Sequence, residues 1–293
     1  MYLNYLIIGL GKLGKIHQSK ILALVDGAVI KTVDLDPVSS DYQEVPSGWN
    51  NQNDVLVIST PTHTHLETVQ RLKEKYLRGK KIPLILIEKP IGQTASERRS
   101  ILEILNTIAN SVQTNSTEVF SNVTNEITQL VQSNKKIVKI IFKRTSLGQN
   151  HTEPLSDLIW HDFSILAETK IINSDNIDTI KNIYFTEKTK TAVQCSYSIN
   201  ELQKILIEHE ALYVPILKDI ERKCTFMFEG GVSYEFNFLK NNVSLNSKII
   251  TVLDESDKIM KLWDATFKHQ TLESDHSHLC IVSKILESVE AYG

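Results

Sequence analysis

The first third of the chain alternates short apolar runs with longer stretches whose apolar residues recur at helical spacing. The apolar runs, which we interpret as strands, cover residues 6–8, 28–33, 54–61, where the strand ends in a proline turn, and 81–87. Helical spacing follows them from Leu13 onward, over 66–77 and over 95–110. Unbroken apolar runs are typical of parallel strands that are buried on both faces. The alternation therefore predicts an α/β domain whose parallel sheet is covered by helices.

Beyond residue 122 the pattern changes to short strands in which apolar and polar positions alternate. Strands are predicted over 137–143, 183–186, 192–199, 224–228, 232–238 and 248–253. Gly230 and Gly231, which lie between two of these runs, indicate a hairpin turn. Apolar residues at helical spacing predict a closing amphipathic helix, and they are Leu279, Val282, Ile285 and Val289. We expect this half to be an α+β domain with a mostly antiparallel, open-faced sheet.

A polar segment over 111–125 separates the two patterns. Within it, Val119 and Phe120 are expected to form a last short strand of the first sheet. We place the domain boundary near Asn122, which divides the chain into domains 1–122 and 123–293.

The turn after the first apolar run carries a glycine pattern that indicates a dinucleotide site. Gly9, Gly11 and Gly14 have the G-x-G-x-x-G spacing between a predicted strand and a predicted helix. The first glycine of such a pattern permits a tight turn, the second lets a pyrophosphate approach the backbone, and the third lets helix and strand pack closely. Lys12 and Leu13 open that helix, whose free N–H groups would bind the phosphates.

An acidic residue, Asp34, follows Gly14 by twenty residues, after the second apolar run. A carboxylate at this place accepts hydrogen bonds from an adenosine ribose. The alternative is a plain turn in an α/β domain that binds nothing. Because the strand, turn, helix and carboxylate occur together, we predict a Rossmann-type dinucleotide-binding domain over 1–122.

Polar residues also lie at the ends of two other predicted strands. Thr60 and Pro61 end the predicted strand 54–61, and Glu88-Lys89-Pro90 ends the predicted strand 81–87. Ligands of parallel sheets bind beyond the carboxyl ends of the strands, so we expect these residues beside the cofactor. His63 and His65 lie in the following loop without further ligands, which favours a structural or cofactor-adjacent role, and we predict no metal site.

A carboxylate and an imidazole in the second half are candidates for acid–base chemistry. Asp157 and His161 lie four residues apart in a predicted helix that Pro154 opens. Residues at this spacing share a helix face, so Asp157 can orient His161, which suits proton removal from an alcohol. Lys89, beside the expected nicotinamide, can donate a hydrogen bond to the same oxygen. The alternative is that Asp157 and His161 are ordinary surface partners.

Composition narrows the class of protein. The 293 residues include 32 Lys and Arg against 35 Asp and Glu, a net charge of −3 that does not suggest binding to nucleic acid or to a membrane surface. The cysteines, Cys195, Cys224 and Cys280, fit no metal spacing and suit a reducing compartment. No apolar run approaches the ~18 residues of a membrane span. With no signal peptide before the first strand, we expect a cytoplasmic protein.

Several motifs taken together resemble the Gfo/Idh/MocA oxidoreductases, the relatives of glucose–fructose oxidoreductase and inositol dehydrogenase. In chain order they are Gly9-Leu10-Gly11-Lys12-Leu13-Gly14-Lys15-Ile16-His17, Val33-Asp34, Ser59-Thr60-Pro61-Thr62-His63-Thr64-His65, Glu88-Lys89-Pro90 and Asp157-Leu158-Ile159-Trp160-His161. The resemblance implies a nucleotide-binding domain followed by a domain over 123–293 that lines the substrate site and often builds oligomers. A homodimer or homotetramer is therefore expected.

The resemblance also implies hydride transfer between a nicotinamide cofactor and a secondary alcohol or ketone of a sugar, nucleotide sugar or cyclitol. Lys89 matches the active-site lysine of the family, and Asp157 and His161 match its aspartate and its acid–base histidine. The loop beside the nicotinamide is matched by Thr60, Pro61 and His65. Asp34 favours NAD over NADP, because a carboxylate repels a 2′-phosphate. The alternative, motivated by the divergent second half, is a non-catalytic dinucleotide sensor or regulatory protein of the same fold.

Overall fold

The structure is a computed structural model of the chain. It describes residues 4–46, 54–76, 81–133, 135–147, 153–199, 204–214, 220–254, 257–259, 261–263 and 273–292. These residues form two compact units, of which the first comprises Met1–Asn115 and Ile259–Cys280 and the second comprises Ser116–Lys258 and Ile281–Gly293.

The first unit contains a five-stranded sheet in which every pairing is parallel. Its strands are β1 (Asn4–Ile8), β2 (Val29–Val33), β3 (Asp54–Ile58), β4 (Ile82–Ile87) and β5 (Ala109–Thr114). They lie in the order β2-β1-β3-β4-β5, and the helices between them are α1 (Lys12–Leu24), α2 (His65–Tyr76) and α3 (Ala95–Ile108). The predicted Rossmann-type parallel sheet is confirmed.

Burial explains why the apolar runs become the central strands. Residues 5–8, 55–58 and 85–87 are almost wholly removed from solvent, as expected of strands covered on both faces. Helix α3 begins where Thr94 accepts a hydrogen bond from the backbone N–H of Glu97. The Glu97 carboxylate in turn accepts from the N–H of Gln93 at 2.8 Å.

The second unit contains an eight-stranded sheet. Its strands are β6 (Ile137–Leu147), β7 (Lys181–Lys188), β8 (Ala192–Ile199), β9 (Ile205–Val214), β10 (Arg222–Phe228), β11 (Ser233–Asn237), β12 (Asn242–Leu245) and β13 (Lys248–Val252). They lie in the order β13-β12-β11-β10-β6-β9-β8-β7, and all pairings except β6 with β9 are antiparallel. The predicted α+β half with a mostly antiparallel sheet is therefore confirmed.

The helices of the later part of the chain are α4 (Asn122–Gln132), α5 (Pro154–Asp157), α6 (Ile159–Glu168) and α7 (Glu273–Glu290). Helix α7 is the predicted closing helix, and Leu279, Val282, Ile285 and Val289 are fully buried in it. The hairpin predicted at Gly230 and Gly231 joins β10 to β11, and both glycines have positive φ, at 91° and 83°. No helix among the described residues is both long enough and apolar enough to cross a membrane.

The end of the first sheet differs from the sequence prediction. The last strand of the first sheet is β5, whereas Val119 and Phe120, predicted as that strand, lie in a 3-10 turn over Thr117–Phe120. The turn forms because Val119 N–H donates to Ser116 O at 3.0 Å and Ser121 N–H donates to Glu118 O at 3.1 Å. Strand β5 was missed because it is a polar edge strand that follows α3 without a turn residue.

The units also differ from the linear division predicted at Asn122. The second unit already begins at Ser116, whose hydroxyl oxygen accepts from Trp160 Nε1 at 3.2 Å. The described residues between 259 and 280 join the first unit, where the ring of Trp263 packs edge-on against that of Tyr5 at 6.2 Å between centroids. The division into a cofactor domain and a substrate domain stays a prediction.

Candidate active site

The glycine turn of the first unit has the geometry of a phosphate cradle. A Cβ on Gly9, whose φ is +94°, would lie 2.8 Å from the backbone of Ser59 and Thr60. A Cβ on Gly14 would lie 2.0 Å from Gly9 O, so α1 packs against the turn too closely for any side chain there. Gly11 differs from both, because a Cβ there would meet nothing within 4 Å. Open space therefore faces the start of α1, where backbone N–H groups bind anions. Helix α1 begins at Lys12, and Lys12 and Leu13 are exposed beside this turn.

Asp34 ties the end of β2 to the glycine turn. Its Oδ2 accepts from Leu10 N–H at 2.6 Å, and its Oδ1 accepts from Asp36 N–H at 3.1 Å. The residue is half-buried, and each oxygen keeps a further lone pair. The carboxylate can therefore accept hydroxyl groups of a ribose placed beside the glycine turn.

His65 fixes the loop after β3. Its Nε2 lies 2.9 Å from Thr60 O and its Nδ1 lies 3.2 Å from Ile91 O, so one ring connects the loops that follow β3 and β4. Burial lowers the pKa of His65, while the two carbonyls and the charge of Glu88 act in the opposite direction. Through this ring the positions of Thr60 and Pro61 are set relative to the loop after β4.

Glu88 is a buried carboxylate at the end of β4. Its Oε1 lies 2.7 Å from His17 Nε2 and accepts from Asn115 Nδ2 at 2.7 Å. The second ring nitrogen of His17, Nδ1, accepts from Trp263 Nε1 at 3.2 Å. These contacts hold the residue that directly precedes Lys89, which is itself half-buried beyond the end of the strand.

Asp157 and His161 lie in the second unit, on two short helices rather than one. Pro154 opens α5, as predicted, but α5 ends at Asp157, and α6 begins after Leu158. Both predicted catalytic residues are half-buried. Their meeting with Lys89, which belongs to the first unit, stays a prediction.

Tyr213 is a partner of the predicted site residue Asp157 that the sequence did not indicate. Its hydroxyl, on β9, donates to Asp157 Oδ2 at 2.7 Å, and the ring is buried. The pair is 56 residues apart in the chain, so only the alternation of β9, which puts Tyr213 on the buried face, could have indicated it. The hydrogen bond fixes the carboxylate that the sequence analysis assigns to orienting His161.

A second missed feature is a buried ion cluster next to His161. Asp162 accepts from Arg144 Nε through Oδ1 and lies 3.0 Å from His209 Nδ1 through Oδ2. The other nitrogen of His209 lies 3.1 Å from the hydroxyl of Tyr197, and the Arg144 guanidinium approaches Glu118 at 3.6 Å. All five side chains are buried. Ion pairs and hydrogen bonds among them hold α6 against β6, β8 and β9.

The charges of this cluster compensate the cost of burial. Burial would raise the pKa of Glu118, but Arg144, Lys258 and Arg222 outweigh it and lower that pKa. Burial would likewise lower the pKa of Arg144, but Asp162 and Glu118 outweigh it and raise that pKa. These groups therefore stay ionised because they face one another.

The whole chain is similar in structure to solved dehydrogenases. UDP-N-acetylglucosamine 3-dehydrogenase GnnA from Acidithiobacillus ferrooxidans matches 99% of this chain and 96% of its own, with a TM-score of 0.74 and 14% identity. A myo-inositol dehydrogenase from Corynebacterium glutamicum matches the same shares with a TM-score of 0.69 and 15% identity. The chain has the Gfo/Idh/MocA fold. The fold expected from the motifs is thereby confirmed.

A further neighbour with this fold was solved with a cofactor. GenD2 from gentamicin A biosynthesis, in complex with NAD, matches 99% of this chain and 93% of its own, with a TM-score of 0.73 and 12% identity. No protein-family model matches the chain, and no curated protein matches it in sequence. At these identities the likeness to the Gfo/Idh/MocA neighbours establishes the fold, and the chemistry has to be argued from the site.

Proposed function

We propose that the protein is an NAD-dependent dehydrogenase or reductase that acts on a secondary alcohol or ketone of a sugar, nucleotide sugar or cyclitol. One observation carries the proposal. Gly9 and Gly14 bring helix α1 against the strands as closely as a backbone allows, while Gly11 leaves open space in front of the helix. A pyrophosphate needs this combination, which a turn without a ligand does not. The residues present therefore fit the cofactor.

Asp34 supports NAD rather than NADP. Its Oδ2 accepts from Leu10 N–H in the glycine turn and its Oδ1 from Asp36 N–H, so the carboxylate beside the turn can accept ribose hydroxyls and would repel a 2′-phosphate. The NAD complex of GenD2, which has the same fold, agrees with this choice. NAD, when bound, would accept or supply the hydride.

Residues of this chain would transfer the proton of the substrate hydroxyl. His161 would remove the hydroxyl proton of an alcohol substrate, or return it to a ketone. Lys89 would donate a hydrogen bond to the same oxygen and stabilise the negative charge that develops there. Asp157, held by Tyr213 at 2.7 Å, would orient His161. The neighbours that act on UDP-N-acetylglucosamine and on inositols support polyhydroxylated substrates.

The test separates cofactor binding from turnover. We expect the purified protein to bind NADH, measured by fluorescence, and to oxidise a member of a panel containing UDP-N-acetylglucosamine, myo-inositol and scyllo-inositol. Lys89→Ala and His161→Ala should each reduce turnover by about 10²- to 10⁴-fold while NADH binding persists. Lys190→Ala, at an exposed loop position, is the matched control and should not change turnover.

Each unexpected result has a defined meaning. Full turnover in both variants would contradict the roles given to Lys89 and His161. The non-catalytic sensor would be favoured if the protein binds NADH but turns over no member of the panel and no component of a crude metabolite extract. Absence of NADH binding would contradict the proposed function as a whole.

A further inference from the structure

Three buried polar atoms that lack a hydrogen-bond partner lie at or just after the ends of β3 and β5, in the described part of the first unit. They are Thr60 Oγ1, Thr114 Oγ1 and Asn115 Oδ1. In the sheet register Ile58 lies opposite Ile87, and Ile87 lies opposite Thr114. Thr114 therefore lies in one row with Ile58 and Ile87, and Thr60 and Asn115 come two residues and one residue beyond that row, at the carboxyl edge of the sheet. Buried polar groups are nearly always satisfied, so three orphans at one edge indicate a ligand.

The orientation of the Asn115 amide is fixed by a directional chain of hydrogen bonds. An indole N–H can only donate, so Trp263 requires an unprotonated Nδ1 on His17. A neutral His17 then carries its proton on Nε2 and donates it to Glu88 Oε1 at 2.7 Å. The carboxylate also accepts from Asn115 at 2.7 Å, so the NH₂ group of Asn115 must face Glu88.

This chain leaves the other end of the Asn115 amide with one possible role. Asn115 Oδ1 is an acceptor, is buried, and has no donor among the described residues. Rotation of the amide would not relieve it, because the carboxylate of Glu88 accepts and does not donate. The missing partner must therefore present an N–H or O–H group.

We propose that Asn115 Oδ1 accepts a hydrogen bond from the carboxamide N–H of the bound nicotinamide. The proposal rests on the proposed binding of NAD, and it adds the residue that recognises the reactive ring. A primary carboxamide offers N–H donors for Asn115 and a carbonyl acceptor for a threonine hydroxyl such as that of Thr114 or Thr60. Trp263 and His17 are positioning residues in this arrangement, since they act on the amide only through Glu88.

The first experiment changes the ligand and leaves the protein intact. Calorimetric titration of the wild-type protein compares NAD, 3-acetylpyridine adenine dinucleotide, which has a methyl group in place of the amide NH₂, and ADP-ribose, which lacks the ring. We expect the acetylpyridine analogue to bind about five- to tenfold more weakly than NAD, the size of one lost hydrogen bond to a buried acceptor. Equal affinities for NAD and the analogue would overturn the proposal.

The second experiment shows whether Asn115 is the acceptor. In Asn115→Leu we expect the preference for NAD over the analogue to disappear, while ADP-ribose binds as in the wild type. Asn110→Ala, at an exposed position of the same strand, is the matched control and should keep the preference. A preference that survives in Asn115→Leu, or an equal loss of NAD and ADP-ribose binding, would overturn the assignment.

The outcomes distinguish this inference from the proposed function. If the wild type binds neither ADP-ribose nor NAD, the proposed function fails, and the inference fails with it. If the wild type binds NAD and ADP-ribose but binds the acetylpyridine analogue as tightly as NAD, only the inference fails. Should Asn115→Leu not fold, Trp263→Phe tests the same chain of hydrogen bonds, since it keeps an aromatic ring at this position and removes the indole N–H. It should weaken NAD binding and spare ADP-ribose, whereas an unchanged affinity for NAD would count against the proposal.

Discussion

Two regions of the molecule, one in each unit, bury polar groups in opposite ways. Around Asp162 in the second unit, each buried charge faces an opposite charge or a hydrogen-bond partner on the neighbouring strands. At the carboxyl edge of the first sheet, Thr60, Thr114 and Asn115 each keep a buried polar atom that nothing in the described chain satisfies. Buried polar groups that are all paired within the protein stabilise the fold, whereas buried polar groups that lack a partner can bind a ligand. Burial of a polar residue alone therefore does not indicate a function. A buried polar atom that lacks a hydrogen-bond partner does.

The largest effect on the free energy of unfolding is expected from removing one charge of the buried ion cluster around Asp162. Arg144→Met leaves the carboxylates of Asp162 and Glu118 buried with one cation fewer, which should lower the free energy of unfolding by about 3–5 kcal/mol. Urea titration followed by circular dichroism measures it. Lys143→Met, the neighbouring residue on the same strand, breaks only the exposed pair with Glu210 at 3.2 Å and should cost less than about 1 kcal/mol. Equal losses in the two variants would mean that the cluster contributes no more than a surface ion pair.

The next effect separates the glycines of the first unit. Gly14→Ala forces a methyl group to within 2.0 Å of Gly9 O and should lower the free energy of unfolding by at least about 1–3 kcal/mol. Gly11→Ala places its methyl group in open space and should leave the free energy of unfolding within about 0.5 kcal/mol of the wild type. Thermal unfolding of both variants checks the difference. A Gly11→Ala protein as unstable as Gly14→Ala would show that the space at Gly11 is filled by the protein itself.

A smaller effect is expected at the contact between Tyr213 and Asp157. Tyr213→Phe removes the hydroxyl that donates to Asp157 and should lower the free energy of unfolding by about 0.5–1.5 kcal/mol. Because Tyr213 acts through Asp157, kcat should fall while KM for the sugar substrate stays nearly constant. Steady-state kinetics with a panel substrate measures both. A rise in KM with unchanged kcat would instead place the Tyr213 hydroxyl on the substrate.

The smallest effect concerns pH. Burial lowers the pKa of His65 from 6.5, so the folded protein binds fewer protons at this ring than the unfolded chain does. The stabilising contribution of neutral His65 is therefore complete above pH 6.5 and is lost as pH falls below it. Urea titrations on both sides of that pH should show a smaller loss in His65→Gln than in the wild type. The same titrations on His63→Gln, an exposed neighbour whose charge is the smallest cause of the lowered pKa of His65, should come close to the wild type. A His65→Gln protein with the wild-type loss would contradict the assignment.

Local chemistry explains what could be predicted from the sequence. The glycine turn, Asp34 and the residues that follow β3 and β4 were predictable because each lies within a few positions of an apolar run that identifies its strand. Asp162, by contrast, meets residues 18 and 47 positions away, and nothing in its own segment indicates Arg144 or His209. Strand β9 was missed because Glu208-His209-Glu210 interrupts its apolar pattern, although His209 occupies a buried position. The sequence thus indicates the residues at the carboxyl edge of the first sheet better than it indicates the ion cluster around Asp162.

The most direct test of the central claim is the NADH affinity of Gly11→Ala beside that of the wild type, measured by fluorescence at equilibrium. We expect the wild type to bind NADH and the alanine variant, folded and as stable as the wild type, to bind it at least about tenfold more weakly, because its methyl group would occupy the space of the pyrophosphate. Equal NADH affinities in the two proteins would show that no dinucleotide lies against this turn.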